Sequence, residues 1–301
     1  MSLGSPGSVT LSSTENAIVQ RLSVWLSGID QELKFWNDWF ASKGDRWPEE
    51  YQRRLDPFRE IDPWILGDIP DARAKVLDVG AGPMTNLGSV FQGRKIDITA
   101  CDPLAHFYAG MAAKHGVDRP VETQVGFAEE LSAFFDPGTF DVINCCNALD
   151  HSFEPVRGIE EMLIVAKPGG RIVLSHAINE AEHEQYRGLH QWNLNAKDGR
   201  FVIWNRSQRV DAMLEFEQYA DIMVETKARW IVVTMSKKAE LPLNIAERSR
   251  ARIREIVPAI MMAMYSRGRD QQVCIDEPAA QARGRLPASI RWLLGRLGGI
   301  A

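Results

Sequence analysis

At 301 residues, 45% hydrophobic and 25% charged, the chain has the balance of a globular protein and excludes a disordered or collagen-like one. A formal net charge of −5 gives no global case for nucleic-acid binding, and no stretch approaches the ~20 apolar residues of a membrane span. Cys101, Cys145, Cys146 and Cys274 form no CxxC pair and show no ligand-like spacing with histidines, so a reduced, cytoplasmic protein without structural zinc is expected.

Residues 1–14, "MSLGSPGSVTLSST", lack the basic and apolar regions of a signal peptide. They are read as a leader outside the fold, disordered or added in cloning. Residues 15–72 are expected to form an N-terminal helical cap. Within it Ile18, Leu22, Trp25 and Leu26, then Leu33, Trp36, Trp39 and Phe40, fall at the spacing of one or two amphipathic helices. Trp47, Pro48 and Tyr51 then open a loop-rich bridge through Pro57, Pro63 and Pro70.

Residues 73–240 change texture to alternating strand and helix. "KVLDV" is a strand, followed by a glycine turn and a helix start. "KIDITACD", "VETQVG", "FDVINCC" and "RIVLSHA" read as further strands, with helices at "HFYAGMAAKHG", "AEELSAFF" and "VRGIEEMLIVA" between them. Repeated β-α units imply parallel strands in a doubly wound α/β sheet. "DIMVETK" and "WIVVTMSK" close the domain as a hairpin, after a polar, histidine-rich stretch at 176–210. Residues 241–301 form an expected Arg-rich helical extension. From Ile245 onward it holds ten arginines, no lysine and five acidic residues. Its "SIRWLLGRLGG" suits an interfacial membrane helix, a protein partner or packing on its own domain.

The turn "VLDVGAGPMTNLG" carries the first chemical signal. Gly80 and Gly82 remove Cβ atoms where the backbone turns and a ligand approaches. Asp78 precedes the turn, and Asp102 ends the next strand 24 residues later, where a carboxylate can accept both hydroxyls of a ribose. A dinucleotide fold would want a third glycine at position 85, which is Thr85. A cationic sulfonium ligand with an amino-acid tail suits the acidic turn better than a pyrophosphate does.

The ordered series "LDVGAGP", "ACDP", "VGFAEEL", "FDVINCCNALDH" and "AKPGGRIVLSH" resembles the class I S-adenosylmethionine (SAM)-dependent methyltransferases of type 11 across residues 74–236. The resemblance implies a Rossmann-like, seven-stranded sheet with a terminal antiparallel hairpin, SAM as cofactor and S-adenosylhomocysteine (SAH) as product. It implies that Asp78, Gly80, Ala81 and Gly82 meet the methionine part, and Asp102 and Pro103 the ribose. It places Phe127 and Ala128 at the adenine, and Asn147 and Ala148 at the methyl end. Met84 and Phe127 depart from the family pattern, which often has a small residue and an acid at those places.

Transfer to a hydroxyl calls for a base or a metal, and histidine suits neutral pH. His176, at the end of strand five, and His190, in "YRGLHQWN", are the expected catalytic residues. His151, Gln191 and Trp192 are expected at the acceptor, because amides bind hydroxyls and an indole stacks on a sugar face. Asp150, His151 and Glu180 lack the spacing of a dedicated metal site, and no metal is assigned. "ELKFWNDWFASKGDRWPEEYQRRLDP" and "NEAEHEQYRGLHQWN" resemble methyltransferases of bacterial polysaccharide and glycosyltransfer systems. That resemblance implies a sugar or glycan hydroxyl as acceptor; another small metabolite is the alternative, and a non-catalytic binding protein or a homo-oligomer stays open.

Overall fold

The computed structural model describes residues 13–68 and 73–242, with side chains from residue 20 onward. The leader and nearly all of the Arg-rich extension therefore lie outside the described residues, as does whatever surface or partner that extension meets. Helix α1 (Ser13–Ala41) is one continuous helix. Trp25, Ile29, Leu33, Trp39 and Phe40, with the half-buried Trp36, lie on its inner side, at the three- and four-residue intervals that make one stripe. The expected loop-rich bridge contains two short helices, α2 (Pro48–Leu55) and α3 (Pro63–Leu66). Each begins on proline, whose missing N–H costs nothing at a first helical turn.

Strand β1 (Lys75–Val79) leads into the glycine turn. No helix follows it. Residues 81–89 run as turns into a small hairpin, β2 (Val90–Phe91) and β3 (Arg94–Lys95). Two carbonyls that a helix would direct at its own amides are otherwise engaged. Arg54 Nη1 donates to Met84 O at 2.6 Å, and Arg59 Nη1 donates to Asn86 O at 2.5 Å. The helix expected from the sequence is thus replaced by a segment pinned to the cap.

The chain continues through β4 (Asp97–Asp102), α4 (Ala105–Lys114), β5 (Thr123–Val125) and a 3-10 turn at Ala128–Ala133. After it come β6 (Phe140–Cys146), a second 3-10 turn at Leu149–His151, α5 (Pro155–Val165) and β7 (Ala166–Ala177). A short helix, α6 (Glu180–His183), precedes a separate antiparallel sheet of β8 (Asn193–Lys197), β9 (Arg200–Trp204) and β10 (Arg209–Asp211). The histidine-rich stretch gave no sign of this sheet. Its Leu194, Phe201 and Ile203 join the main core. Helix α7 (Ala212–Phe216) then leads to β11 (Ala220–Lys227) and β12 (Trp230–Lys237).

The main sheet has seven strands in the order β11-β12-β7-β6-β1-β4-β5. Strands β7, β6, β1, β4 and β5 are parallel, while β12 runs antiparallel to both β7 and β11. This is the doubly wound α/β sheet and terminal hairpin anticipated from the sequence. The chain order reverses beside β1, between β6 and β4, and such a switch point opens a crevice at the carboxyl ends of the strands. Helix α1 spans that crevice. An added Cβ on Gly82 would come 3.1 Å from the Trp36 ring, and one on Gly28 would come 2.6 Å from the Gly188 backbone. Among the described residues, no helix is long and apolar enough to cross a membrane.

Candidate active site

The crevice holds a cavity of about 920 Å³, near the upper end of the range for small-molecule sites. Asp78, Gly80, Ala81, Gly82, Asp102 and Pro103 line it from β1 and β4, and Ala128, Asn147 and Ala148 line it from β5 and β6. Gly80 and Gly82 have φ of 68° and 63°, a left-handed backbone that glycine adopts without strain. A Cβ on Gly80 would stand 2.3 Å from that of Ala148. The turn is held from behind, because Gly80 N and Ala81 N donate to Cys101 O at 2.9 and 3.1 Å.

Asp78 is buried on the floor of the turn. Its carboxylate accepts from Thr85 Oγ1 at 2.5 Å and from Asn144 Nδ2 at 2.7 Å, while burial pushes its pKa up. Thr85, the residue that departs from a dinucleotide motif, therefore has a structural task of its own. Asp102 accepts from Gly82 N at 3.1 Å and Leu104 N at 2.8 Å. Burial outweighs those bonds and raises its pKa to about 7. A buried carboxylate on the cavity wall with spare lone pairs suits hydroxyl donors such as those of a ribose. The glycine cradle and this acid together fit SAM.

Phe127 does not line the cavity. Its ring is fully buried, with Trp25 and Phe134 at centroid distances of 6.1 and 6.2 Å. The place at the adenine that the resemblance gives Phe127 is thus not one its buried ring can take. Glu129, two positions further on, does line the cavity. Its Oε1 accepts from Phe153 N at 2.8 Å, and burial raises its pKa to about 7.

The cavity is also lined by His151, Ser175, Glu180, Glu184, His190 and Trp230. His190 Nδ1 lies 2.7 Å from Asp150 Oδ2, and His151 Nε2 lies 3.1 Å from the same His190 nitrogen. Burial lowers the His190 pKa, but the hydrogen bond and charge of Asp150 outweigh it and the net shift is upward. Burial likewise raises the Asp150 carboxyl, yet the His151 and His190 rings bring it down to about 2. With Nδ1–H donated to Asp150, Nε2 is the His190 nitrogen available to the cavity. The ligand atoms of Asp150, His151 and His190 all fall within 4.8 Å of one another, which is also a spacing for a metal ion. Glu180, considered with the first two from sequence, is not in that group.

Three expected site residues sit elsewhere. His176 is buried outside the cavity lining, its ring nitrogens have no hydrogen-bond partner among the described residues, and burial drops its pKa to about 4. It is neutral and cannot reach an acceptor. The neighbouring Ser175 takes the cavity-facing place, as alternation along a strand requires. Trp192 is only 3% exposed and packs in the core. Gln191 spends its amide on Tyr186 O and Gly188 O at 3.2 and 3.0 Å. These two residues act through their backbone instead, since Gln191 N and Trp192 N donate to Asp150 O at 3.0 and 3.3 Å. That pair of bonds docks the His190 loop onto Asp150. Glu32, Trp36 and Arg54 of the cap also line the cavity. Only their position in an aromatic, charged segment hinted at this.

Residues 77–174 match the methyltransferase domain family of type 11. The ubiquinone biosynthesis O-methyltransferase of Xanthomonas oryzae pv. oryzae (strain PXO99A) is 28% identical over 214 residues, covering 62% of this chain and 83% of the relative. Its counterpart in Xanthomonas euvesicatoria pv. vesicatoria (strain 85-10) is 31% identical with the same coverage. Among solved structures, the 1,6-didemethyltoxoflavin-N1-methyltransferase of Burkholderia thailandensis is 18% identical with a TM-score of 0.39, covering 79% of this chain and 94% of that one. The chain belongs to the class I SAM-dependent methyltransferases and is an enzyme of that class.

Proposed function

We propose that the enzyme transfers the SAM methyl group to a hydroxyl oxygen of a small organic acceptor, with His190 as general base and Asp150 as its orienting residue. The observation that carries this reading is the 2.7 Å bond between Nδ1 of His190, which lines the cavity, and the buried Asp150 carboxylate. SAM supplies an electrophilic methyl group on a sulfonium. The acceptor hydroxyl loses its proton to His190 Nε2 as its oxygen attacks. Asp150 holds the ring in the tautomer that leaves Nε2 free and stabilises the imidazolium that forms. Helix α1, closing over the crevice, excludes water from the reacting centre. The curated relatives are named as O-methyltransferases, which supports oxygen as the accepting atom.

The acceptor is taken to be a phenol. An imidazole with a pKa near or above ~6.5 deprotonates a phenol of pKa ~10 more readily than an aliphatic alcohol. Trp230, on the cavity wall with His190, suits a flat ring. A sugar or glycan hydroxyl is the second reading. Gln191 and Trp192, which pointed to it, do not face the cavity, but Glu180 and Glu184 do and can accept from sugar hydroxyls.

SAM with an isotopic methyl group, incubated with phenols, sugar nucleotides and oligosaccharides, tests the proposal. Label should enter a phenolic oxygen with wild type, and His190→Ala should slow transfer ~10²–10⁴-fold. Label in a sugar would replace the acceptor class, and label on nitrogen or carbon would remove the need for the base. Loss of activity in a chelator, restored by a divalent cation, would recast Asp150, His151 and His190 as metal ligands.

A further inference from the structure

Helix α1 carries a glycine near its middle, Gly28, where glycine is less stable than alanine and calls for a reason. The reason lies in the loop it packs against. An added Cβ on Gly28 would stand 2.6 Å from Gly188 C, 2.7 Å from Gly188 O and 2.8 Å from Leu189 Cδ2. Gly188 is its counterpart on the loop. Its φ is 57°, and a Cβ there would come 3.0 Å from Gln31 Oε1. With a side chain missing from both surfaces, the backbones of helix and loop meet directly. Gly188 O also accepts from Gln191 Nε2 at 3.0 Å. Leu189 is buried and belongs to the same apolar cluster as Trp25, Ile29 and Leu33 of α1. His190 follows at once. Its loop is therefore held on both sides, by α1 at Gly188 and Leu189 and by Asp150 O at Gln191 N and Trp192 N.

We propose that Gly28 is a positioning residue for His190, so that the cap helix sets the place of the base by backbone contact with its loop. The role rests on the reading of His190 as general base. Ordinary contacts of a Cβ begin near 3.4 Å, so a methyl group at position 28 forces helix and loop apart by the better part of an ångström. The 2.7 Å bond from His190 Nδ1 to Asp150 Oδ2 has little room for that, since such bonds weaken beyond about 3.2 Å. Gln191 and Trp192 stay tied to Asp150 through their own amides, and the displacement falls on Leu189 and His190 between the two anchors. No residue of the glycine turn takes part in the contact, which separates this role from cofactor binding.

Three readouts on the full chain test it: calorimetric titration with SAH, transfer of the isotopic methyl group to a phenol, and the magnetic-resonance signal of the His190 ring N–H in the SAH complex. That signal is assigned by its absence in His190→Ala. Gly28→Ala should keep SAH affinity within about twofold, shift or abolish the N–H signal, and lower kcat ~10²-fold with a smaller change in KM. Leu189→Ala loosens the same contact without a clash, should disturb the signal in the same sense, and carries the test if Gly28→Ala does not fold. Phe40→Ala is the control for loss of cap stability alone. Phe40 lies at the far end of α1, stacked on His115 at a centroid distance of 6.0 Å. Its truncation should lower the Tm, leave the N–H signal in place and change kcat by about twofold or less. A folded Gly28→Ala with unchanged signal and kcat would overturn the proposal. So would a Phe40→Ala variant that, at equal loss of Tm, reproduces both changes. Transfer that survives in His190→Ala would instead remove the base, and the N–H signal of Gly28→Ala would still decide the positioning.

Discussion

The two ends of the cavity are built in opposite ways. At the cofactor end, Asp78 and Asp102 each accept two hydrogen bonds, from Thr85 and Asn144 and from Gly82 and Leu104. The partners Thr85, Gly82 and Leu104 lie in or next to the β1 and β4 turns, so one short stretch of chain nearly completes the shape. At the acceptor end, Asp150, His151 and His190 come from loops almost forty residues apart. Beneath them Asp150 Oδ1 and both nitrogens of His176 have no hydrogen-bond partner among the described residues. A part whose polar groups are satisfied by local bonds suits a cofactor common to a family, while a part assembled from separate loops is free to vary between its members.

The largest expected effect breaks the rigid half. Gly80→Ala would put a Cβ 2.3 Å from that of Ala148 at a φ of 68°. Overpacking and a left-handed alanine together cost about 2–5 kcal/mol. Thermal unfolding should show that loss and calorimetry should show lost SAH binding. Adding Ala148→Gly should recover part of both, because it removes the clash and leaves the backbone cost.

An intermediate effect separates the halves. Asp150→Asn should slow turnover ~10²–10⁴-fold while SAH affinity stays near wild type, because its side chain serves only His190 and its neighbours. The pH profile sharpens this. The base must be neutral, so kcat/KM should rise with pH through a value above the ordinary ~6.5 of histidine. Removing the Asp150 charge should move that limb to lower pH. The stability linkage has matching signs. With its folded pKa raised, His190 stabilises the fold below ~6.5, and that contribution disappears as pH climbs through the raised value. Asp150, depressed to about 2, contributes above its unfolded value near 3.8 and loses that contribution as pH falls toward 2.

The smallest effect concerns Asp102. Its folded pKa of about 7 lies above the unfolded 3.8, so the fold loses stability as pH rises from 3.8 toward 7. Ribose hydroxyls donate to the ionised carboxylate and favour it. SAH binding near pH 7 should therefore release a fraction of a proton, seen as a dependence of the calorimetric heat on the buffer's ionisation enthalpy. An unchanged heat across buffers would mean that Asp102 is already ionised in the free enzyme.

Much of the fold was legible in the chain itself. Largely apolar runs such as "KVLDV" and "FDVINCC" sit between helix-forming segments, as strands of a parallel sheet buried on both faces do. Gly80, Gly82, Asp78 and Asp102 were readable for a similar reason, since their geometry is set within a turn or by neighbouring strands. The helix expected after β1 was misjudged because Met84 O and Asn86 O are taken by Arg54 and Arg59, some thirty residues earlier. Backbone propensity carries no trace of such partners. Phe127 was misplaced because its neighbours in space, Trp25 and Phe134, draw its aromatic ring into the core.

At the acceptor end, the sequence by itself determined the supply of histidines and acids but not their pairing. His176, Gln191 and Trp192 looked as suitable as His190, and a shift of one residue along a strand or loop decides which of them faces the cavity. Only the tertiary structure chose His190, by docking its loop through the Gln191 and Trp192 amides onto the carbonyl of Asp150. The physical reason is range. The glycine turn is a local conformational problem that glycines and adjacent strands solve. The pairing of Asp150 with His190 arises only when segments distant in the chain are brought within a hydrogen bond of each other.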